Sequence, residues 1–395
     1  MNERELKRSL LGVAPPDELG AQRRSWQLVR TAFDEREPTP WPKRHANSLI
    51  GIAAAVGLLA AVLSPPGRAV ISDVRDAIGK DKVVGVTQAK PALFSLPAPG
   101  RVLVSAPTGA WVVEADGSKR RLGDYDAASW SPQGLHAVVT KQSQLVAVTP
   151  RGQVRWTLAR PRVHDARWAP SGFRIAYLSG GNLRVVAGDK TGDKRLDAAA
   201  RVAPAWRPGE QHVLAYATPG GRIAVRDTDS ERTLWSARVR AAPAQLEWSA
   251  DAQRLLAAVP LSESRFALTV YDGSGRRLQS LALPGAFVDA AFAPDGHGIA
   301  LVRRQADRSE LLLVDGDLLR SQEQVFTGQG AFRDVAWSPS GGWLLLGWQS
   351  ADQWLFFRST DVEKIKAVSS LAVQFDPGGT GAGEFPRIEG WCCGQ

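Results

Sequence analysis

The chain has 395 residues, of which 44% are hydrophobic and 23% charged, and its formal net charge is +9. This composition is typical of a packed globular protein and excludes a disordered chain. The positive excess is spread thinly, because residues 1–46 contain nine Lys and Arg against seven Asp and Glu, and residues 67–395 contain 40 against 33. No basic run forms a stripe, so the charge does not indicate nucleic-acid binding.

Residues 1–46 are predicted to form a short cytoplasmic segment. Trp26, Val29 and Phe33 recur at helical spacing and give one apolar helix face. Two interpretations remain for this face. It is either a surface helix on the inner leaflet, with neighbouring arginines near anionic lipid, or a docking helix for a cytoplasmic partner.

Residues 47–64 are predicted to be a transmembrane helix. The sixteen residues from Ser48 to Leu63 carry no charge and make a helix of about 24 Å, shorter than the ~30 Å of a bilayer core, to which Asn47 and Ser64 add a little. Lys43 and Arg44 precede it, which favours a cytoplasmic N-terminus and an extracytoplasmic remainder. A cleaved signal peptide and a buried soluble helix are the alternatives. Residues 65–90 are predicted to form a juxtamembrane helix and linker.

The rest of the chain carries a repeat that begins with an aromatic residue and usually has proline two positions later. Successive copies are spaced by 38, 38, 42, 44 and 45 residues, the length of a four-stranded propeller blade. Degenerate copies start near Leu96 and Phe375. The predicted structural core of the repeat is formed by Trp130, Trp168, Trp206, Trp248, Phe292 and Trp337.

A second motif, a short β run followed by a polar turn, occurs seven times. We therefore predict an all-β fold, a seven-bladed β-propeller over residues 91–395, with six or eight blades as alternatives. Segment 371–393 is expected to supply a strand to the first blade and so to close the ring. The copies of the second motif start at Ala110, Gln144, Leu183, Ile223, Ala267, Glu310 and Gln353.

The pattern W-S-P-x-G followed by an apolar strand resembles the repeats of TolB-like propellers and the N-terminal propellers of prolyl oligopeptidases. The resemblance covers residues 91–395 and concerns the fold. The repeat is similar to WD repeats, although no Trp-Asp dipeptide is present. The TolB resemblance implies a periplasmic or surface propeller that binds protein partners. TolB itself is soluble, so its role in the Tol system is not transferred to a chain with a predicted anchor.

No residue pattern predicts catalysis, a cofactor or a metal. The sequence lacks the G-x-S-x-G motif of a fused hydrolase. His136, His212 and His297 occupy one turn position of the repeat, which favours surface-turn residues over ligands or bases. The only cysteines, Cys392 and Cys393, are adjacent; they are either two thiols on the tail or, in an oxidising compartment, a vicinal disulfide.

These features predict a non-enzymatic binding protein: a single-pass, membrane-anchored extracytoplasmic propeller that presents a face to a protein or cell-envelope ligand. The Arg-, Ala- and Gly-rich composition favours a bacterial source. The alternative function is a transmembrane regulator, for example of the anti-sigma kind, in which binding outside is coupled to the helix around Trp26–Phe33. The sequence does not name the ligand.

Overall fold

The computed structural model describes residues 95–209, 212–316, 319–320, 322–376 and 384–393. The predicted cytoplasmic segment, membrane span and juxtamembrane linker (residues 1–46, 47–64 and 65–90) lie outside the described residues. Within the described part, no helix has both the length and the apolar character needed to cross a membrane.

The described residues form twenty-eight strands, arranged as seven four-stranded antiparallel sheets. Each sheet is one blade, and its strands are called first to fourth in spatial order. The seven-bladed propeller predicted from the sequence is confirmed.

The blades follow one another along the chain, with the first strand of blade 1 coming from the C-terminus. Blade 1 contains β28 (Arg387–Cys392), β1 (Arg101–Ala106), β2 (Gly109–Val113) and β3 (Lys119–Gly123). Blades 2 to 4 contain β4 (Ala127–Trp130), β5 (Ala137–Lys141), β6 (Gln144–Val148) and β7 (Val154–Ala159); β8 (Val163–Trp168), β9 (Arg174–Ser179), β10 (Asn182–Ala187) and β11 (Lys194–Ala198); and β12 (Ala205–Trp206), β13 (Val213–Thr218), β14 (Arg222–Asp227) and β15 (Thr233–Arg238).

The remaining three blades have the same internal order. Blades 5 to 7 contain β16 (Gln245–Trp248), β17 (Arg254–Ser262), β18 (Arg265–Asp272) and β19 (Arg277–Pro284); β20 (Ala286–Phe292), β21 (Gly298–Gln305), β22 (Arg308–Asp315) and β23 (Gln322–Gln329); and β24 (Phe332–Trp337), β25 (Trp343–Trp348), β26 (Gln353–Arg358) and β27 (Asp361–Ser369). A 3-10 turn (Gln349–Ala351) and one short helix, α1 (Leu371–Gln374), complete the described elements.

Burial explains the strand sequences. The second and third strands lie between neighbouring blades and are covered on both sides, so β5 and β9 are almost continuously apolar. The fourth strands lie at the periphery, and β7 and β15 alternate exposed with half-buried residues. The apolar residues form clusters that each join adjacent blades.

The ring is closed by β28, which pairs antiparallel with β1 through Val102 opposite Trp391 and Arg101 opposite Cys392. The first strands of successive blades contact each other around the ring, including β24 with β28 and β28 with β4. The predicted closure by segment 371–393 is therefore confirmed.

The copy predicted near Phe375 is wrong as a blade start. Phe375 follows α1, and its ring is buried between Trp111 of blade 1 and Trp354 of blade 7, with ring centroids 5.8 and 5.6 Å apart. The segment was misassigned because its sequence, Phe-Asp-Pro-Gly-Gly, is similar to the repeat motif. In the structure, the Phe375 side chain instead packs between blades 7 and 1. The true closing strand begins twelve residues later, at Arg387.

Two faces of the ring are needed below. Because neighbouring strands are antiparallel, the first-to-second and third-to-fourth turns of every blade lie on one side. We call this side the motif face, since it carries the W-x-P-x-G turns. The second-to-third turns and the connections between blades lie on the other side, which we call the opposite face.

Candidate functional site

The repeating aromatic residues end the first strands. Trp206, Trp248 and Phe292 are buried, and the corresponding Trp130, Trp168 and Trp337 are half-buried. Trp206 Nε1 donates a hydrogen bond of 2.9 Å to the carbonyl of Arg167, and Trp337 Nε1 donates one of 3.0 Å to that of Ala291. Both acceptors belong to the preceding blade, so these aromatic side chains connect blades.

Trp391 is the seventh aromatic residue of this set, and the sequence analysis missed it. It is buried at the same register position as the others, paired with the second residue of the next strand. The motif of blade 1 is divided between the two ends of the chain, because Trp391 supplies the aromatic residue and Pro99-Gly100 lead into β1. The Trp before the two cysteines was the available signal.

The histidines lie in the predicted turns, but two of them also contact a neighbouring blade. The His136 ring stacks on that of Trp168, with centroids 6.1 Å apart. His212 Nδ1 lies 2.7 Å from an Asp229 carboxylate oxygen, and His212 Nε2 lies 3.0 Å from Ser171 Oγ of the preceding blade. Their position on the turn was predictable, whereas the partners across the blade boundary were not.

The structure places the sulfur atoms of Cys392 and Cys393 side by side at the end of β28. Cys393 Sγ lies 3.6 Å from the Pro132 carbonyl oxygen, and a Cβ added at Gly134 would meet the same sulfur at 2.6 Å. The end of the closing strand thus packs on the W-S-P-x-G turn of blade 2. The redox state of the pair in solution remains a prediction.

The first strands surround an axial cavity of about 920 Å³. Side chains from six of the seven blades line it, and many of them are charged. Arg201 and Arg387 are exposed to the cavity, and Arg167 is half-buried. The acidic residues in its wall are Asp165, Glu247, Asp289, Asp334 and Glu389.

Three of these carboxylates bind the backbone of the next blade. Each accepts a hydrogen bond from a first-strand N–H across a blade boundary, at the junctions 5–6, 6–7 and 7–1. The pairs are Glu247 Oε1 with Phe292 N at 3.0 Å, Asp289 Oδ2 with Val335 N at 2.9 Å, and Asp334 Oδ2 with Ile388 N at 3.0 Å. At junction 5–6, Gln245 adds a bidentate contact with the Ala290 backbone.

Burial in the cavity wall changes the protonation of these groups. Burial raises the pKa of Glu247 to about 8. Burial, together with the charge of Asp334, raises the pKa of Asp289 to about 7, and burial raises that of Asp334 itself to about 6. The negative charge of Glu389 is the main cause of the raised pKa of Arg387. The cavity therefore combines permanent guanidinium charges with carboxyl groups that titrate near neutrality.

A repeated position explains part of this arrangement, although Glu247 lies directly before Trp248 instead. Asp165, Asp289 and Asp334 each lie three residues before the aromatic residue of their blade, and Gln245 occupies the same position in blade 5. A polar residue recurring there was the signal that the sequence analysis could have used. Among the described residues, no group of three or more His, Cys, Asp or Glu side chains is placed to hold a metal ion. The arrangement offers hydrogen bonds and charge to a polar ligand.

Neither protein-family models nor curated proteins match the chain. Solved structures do. They include the Kuenenia stuttgartiensis hydrazine synthase, with a TM-score of 0.51 and 15% identity over 69% of this chain and 80% of that one. KlHsv2 with loop 6CD replaced by a Gly-Ser linker has a TM-score of 0.52 and 13% identity over 66% and 89%.

The Cps50 (Swd1) β-propeller domain of Myceliophteria thermophila has a TM-score of 0.50 and 12% identity, over 70% of this chain and 98% of that domain. At these identities the likeness concerns the fold alone. The chain is a seven-bladed β-propeller, and this fold by itself assigns no function.

Proposed function

We propose that this chain is a membrane-anchored extracytoplasmic β-propeller that acts as a non-enzymatic binding module for a protein or cell-envelope ligand. The axial cavity is the observation that supports this most. It is about 920 Å³ in volume and is lined by the exposed residues Arg201 and Arg387 together with five carboxyl groups. Guanidinium groups donate several hydrogen bonds in a fixed geometry and suit carboxylate or phosphate groups.

The anchor and the compartment are supported by the sequence. The uncharged segment at residues 47–64 follows basic residues, which favours export of the propeller. The TolB-like repeat supports the same placement. A structural neighbour is named a hydrazine synthase, so the fold by itself does not separate binding from catalysis, and the proposal depends on the cavity.

Photo-crosslinking in cells tests binding at the cavity. A photoreactive residue is placed at Ala203, on the cavity wall, and in a matched variant at Arg277, an exposed residue on the outer strand β19. We expect a discrete adduct from position 203 that is absent from position 277. No adduct from position 203, or the same adducts from both positions, would contradict ligand binding at the axis.

The regulator alternative predicts a further result. If binding outside is coupled to the segment around Trp26–Phe33, photoreactive residues there capture a cytoplasmic protein, and the yield depends on an intact cavity. If the propeller only binds a ligand outside, the crosslinking yield at the N-terminal segment does not depend on the cavity.

A further inference from the structure

The motif-face turns of blades 2 and 3 carry three exposed apolar side chains. Leu135 and Phe173 occupy the same position in the first-to-second turns of the two blades and are 62% and 66% exposed. Val154, at the start of β7, is 55% exposed. Among the described residues, the first-to-second turns of blades 4 to 7 have no exposed large apolar side chain.

These turns belong to one continuous surface. Trp156 of β7 donates a hydrogen bond of 2.7 Å to the Gly188 carbonyl of blade 3, and Gly188 N donates one of 3.2 Å to the Phe173 carbonyl. The outer strand of blade 2 therefore lies against the turn that carries Phe173. Apolar side chains placed together at the surface in this way usually mark an interaction site.

The charge of the same turns is positive. Arg151, Arg155 and Lys190 are exposed there, with Asp189 as the acidic residue. Arg174 is directed to blade 4, where it forms an ion pair of 3.2 Å with Asp229. In the described motif-face turns of blades 4 to 6, by contrast, four exposed acidic residues, Asp229, Glu231, Asp251 and Asp295, offset the three exposed basic ones, Arg232, Arg276 and Arg320. We call the group of Leu135, Val154, Phe173, Arg151, Arg155 and Lys190 the apolar–basic patch.

The chain enters the propeller beside this patch. Leu96 N donates a hydrogen bond of 2.9 Å to the Ala115 carbonyl, which follows β2 on the motif face. Arg101, the first residue of β1, donates one of 2.9 Å to the Gly134 carbonyl, next to Leu135. The described chain therefore begins on the motif face, at the edge of the patch.

We propose that the apolar–basic patch docks on the anionic surface of the membrane that anchors the chain, an inference that rests on the proposed anchorage. Apolar tips enter the interfacial region while Arg and Lys side chains attract anionic headgroups. The tether keeps the bilayer at a high effective concentration near the patch, so a few weak contacts suffice. Docking on the motif face leaves the opposite face directed away from the bilayer.

Fluorescence quenching tests this on the full chain in nanodiscs that contain anionic phospholipid and a lipid-borne quencher. A fluorophore is attached at Phe173→Cys in a Cys392→Ser, Cys393→Ser background. The matched control is Leu261→Cys, since Leu261 is 41% exposed beside the second-to-third turn of blade 5, on the opposite face. We expect quenching at position 173 to be at least about twofold that at 261, and to fall with Leu135→Ser and Arg151→Glu or in zwitterionic lipid. Equal quenching at both positions overturns the proposal.

Carbonate extraction of the same preparations separates this inference from the anchorage. If the protein resists extraction and position 173 is not quenched, the anchorage stands and the docking is overturned. If the protein is released, the anchorage fails, and quenching at position 173 by added anionic vesicles decides the docking alone. A position-173 label that is shielded in cells but not quenched by lipid would assign the patch to an acidic protein and overturn the membrane proposal.

Discussion

Two arcs of the ring connect their blades in different ways. From blade 5 through blade 7 to blade 1, Glu247, Asp289 and Asp334 on the innermost strands accept backbone N–H groups of the next blade. At blades 2 to 4 the carboxylate-mediated links lie further out. Asp193 accepts hydrogen bonds from Arg160, Arg184 and Tyr177, while the Tyr216 hydroxyl of blade 4 donates to Asp197 of blade 3.

The comparison shows that the position of a carboxyl group in the ring determines the direction of its pKa shift. Glu247, Asp289 and Asp334 in the axial cavity accept hydrogen bonds from backbone N–H groups, but burial outweighs these bonds and raises the pKa of all three. Burial of Asp193 would also raise its pKa, but hydrogen bonds from Arg184, Tyr177 and Arg160 outweigh burial and hold the pKa below its ordinary value. One fold thus contains two sets of blade junctions with opposite dependence on pH.

Removal of the closing strand should have the largest effect. A chain that stops before Leu371 lacks β28, loses the Asp334–Ile388 contact and exposes the edge of β1 with its apolar neighbours. We expect aggregation and loss of a cooperative thermal transition. A chain that stops after Cys393 keeps every described strand and serves as the control. A truncated chain that stays monomeric with unchanged Tm would show that β28 is not needed for closure.

Trp206→Ala should lower the free energy of unfolding by about 3–5 kcal/mol, because it leaves a cavity between blades 3 and 4 and removes the hydrogen bond to the Arg167 carbonyl. His212→Ala at the same junction should cost only about 0.5–1.5 kcal/mol, through the lost contacts to Asp229 and Ser171. Urea unfolding of both variants measures the two values. Similar losses for the two variants would contradict a buried, blade-connecting role for the aromatic residue.

The sequence predicted the parts of this fold that repeat. Apolar third strands and the Trp turns recur, so blade number and ring closure followed from their spacing. The sequence did not show whether Phe375 or Trp391 supplies the aromatic residue of blade 1. That depends on the pairing of β28 with β1, which joins residues some 290 positions apart. The sequence analysis missed the carboxyl groups of the axial cavity for a similar reason, because only the assembled ring places the N–H groups of the next blade beside them.

Asp193→Asn should destabilise the protein at pH 7 by about 1.5–3 kcal/mol, since it weakens charge-assisted bonds with Arg160 and Arg184. Because the pKa of Asp193 lies below its ordinary value, this stabilisation is present above pH 4 and is lost as the pH falls through the lowered pKa. Tm measured from pH 7 to pH 3 should therefore fall less steeply in the variant. An unchanged slope would show that Asp193 does not set the acid sensitivity of this arc.

Glu247→Gln combined with Asp289→Asn should remove a loss of stability that occurs as the pH rises, whereas Asp193→Asn removes one that occurs as the pH falls. Their pKa values of about 8 and 7 lie above the ordinary value, so their stabilising contribution is complete below pH 4 and is lost as the pH rises through 7 and 8. The amides keep an acceptor for Phe292 N and Val335 N but do not ionise. We expect Tm to fall between pH 5 and pH 8.5 in the native protein and to fall clearly less in the variant, in which Asp334, with a pKa of about 6, still ionises over this range.

Asp272→Asn is the matched control for this comparison. Hydrogen bonds, chiefly from Ser274, hold the pKa of Asp272 at about 2, so it is fully ionised throughout that range. The fall in Tm should be the same as in the native protein. A double variant that still follows the native curve would contradict the raised pKa values in the channel.

Cys392→Ser with Cys393→Ser should have the smallest effect on stability, less than about 1 kcal/mol, because a disulfide between adjacent residues closes no long loop. Intact mass measured with and without reduction under denaturing conditions establishes the bond itself. We expect a mass lower by two hydrogens in the unreduced native protein. Two alkylatable thiols in protein isolated without reductant would contradict the disulfide.

The side of the membrane on which the propeller lies is the most direct test of the account. In the cysteine-free background, Arg277→Cys places one thiol on the exposed outer strand of blade 5, and Ser25→Cys places one in residues 1–46. A membrane-impermeant maleimide applied to spheroplasts should label position 277 directly and position 25 only after permeabilisation. Labelling of position 277 only after permeabilisation would contradict an extracytoplasmic, membrane-anchored propeller.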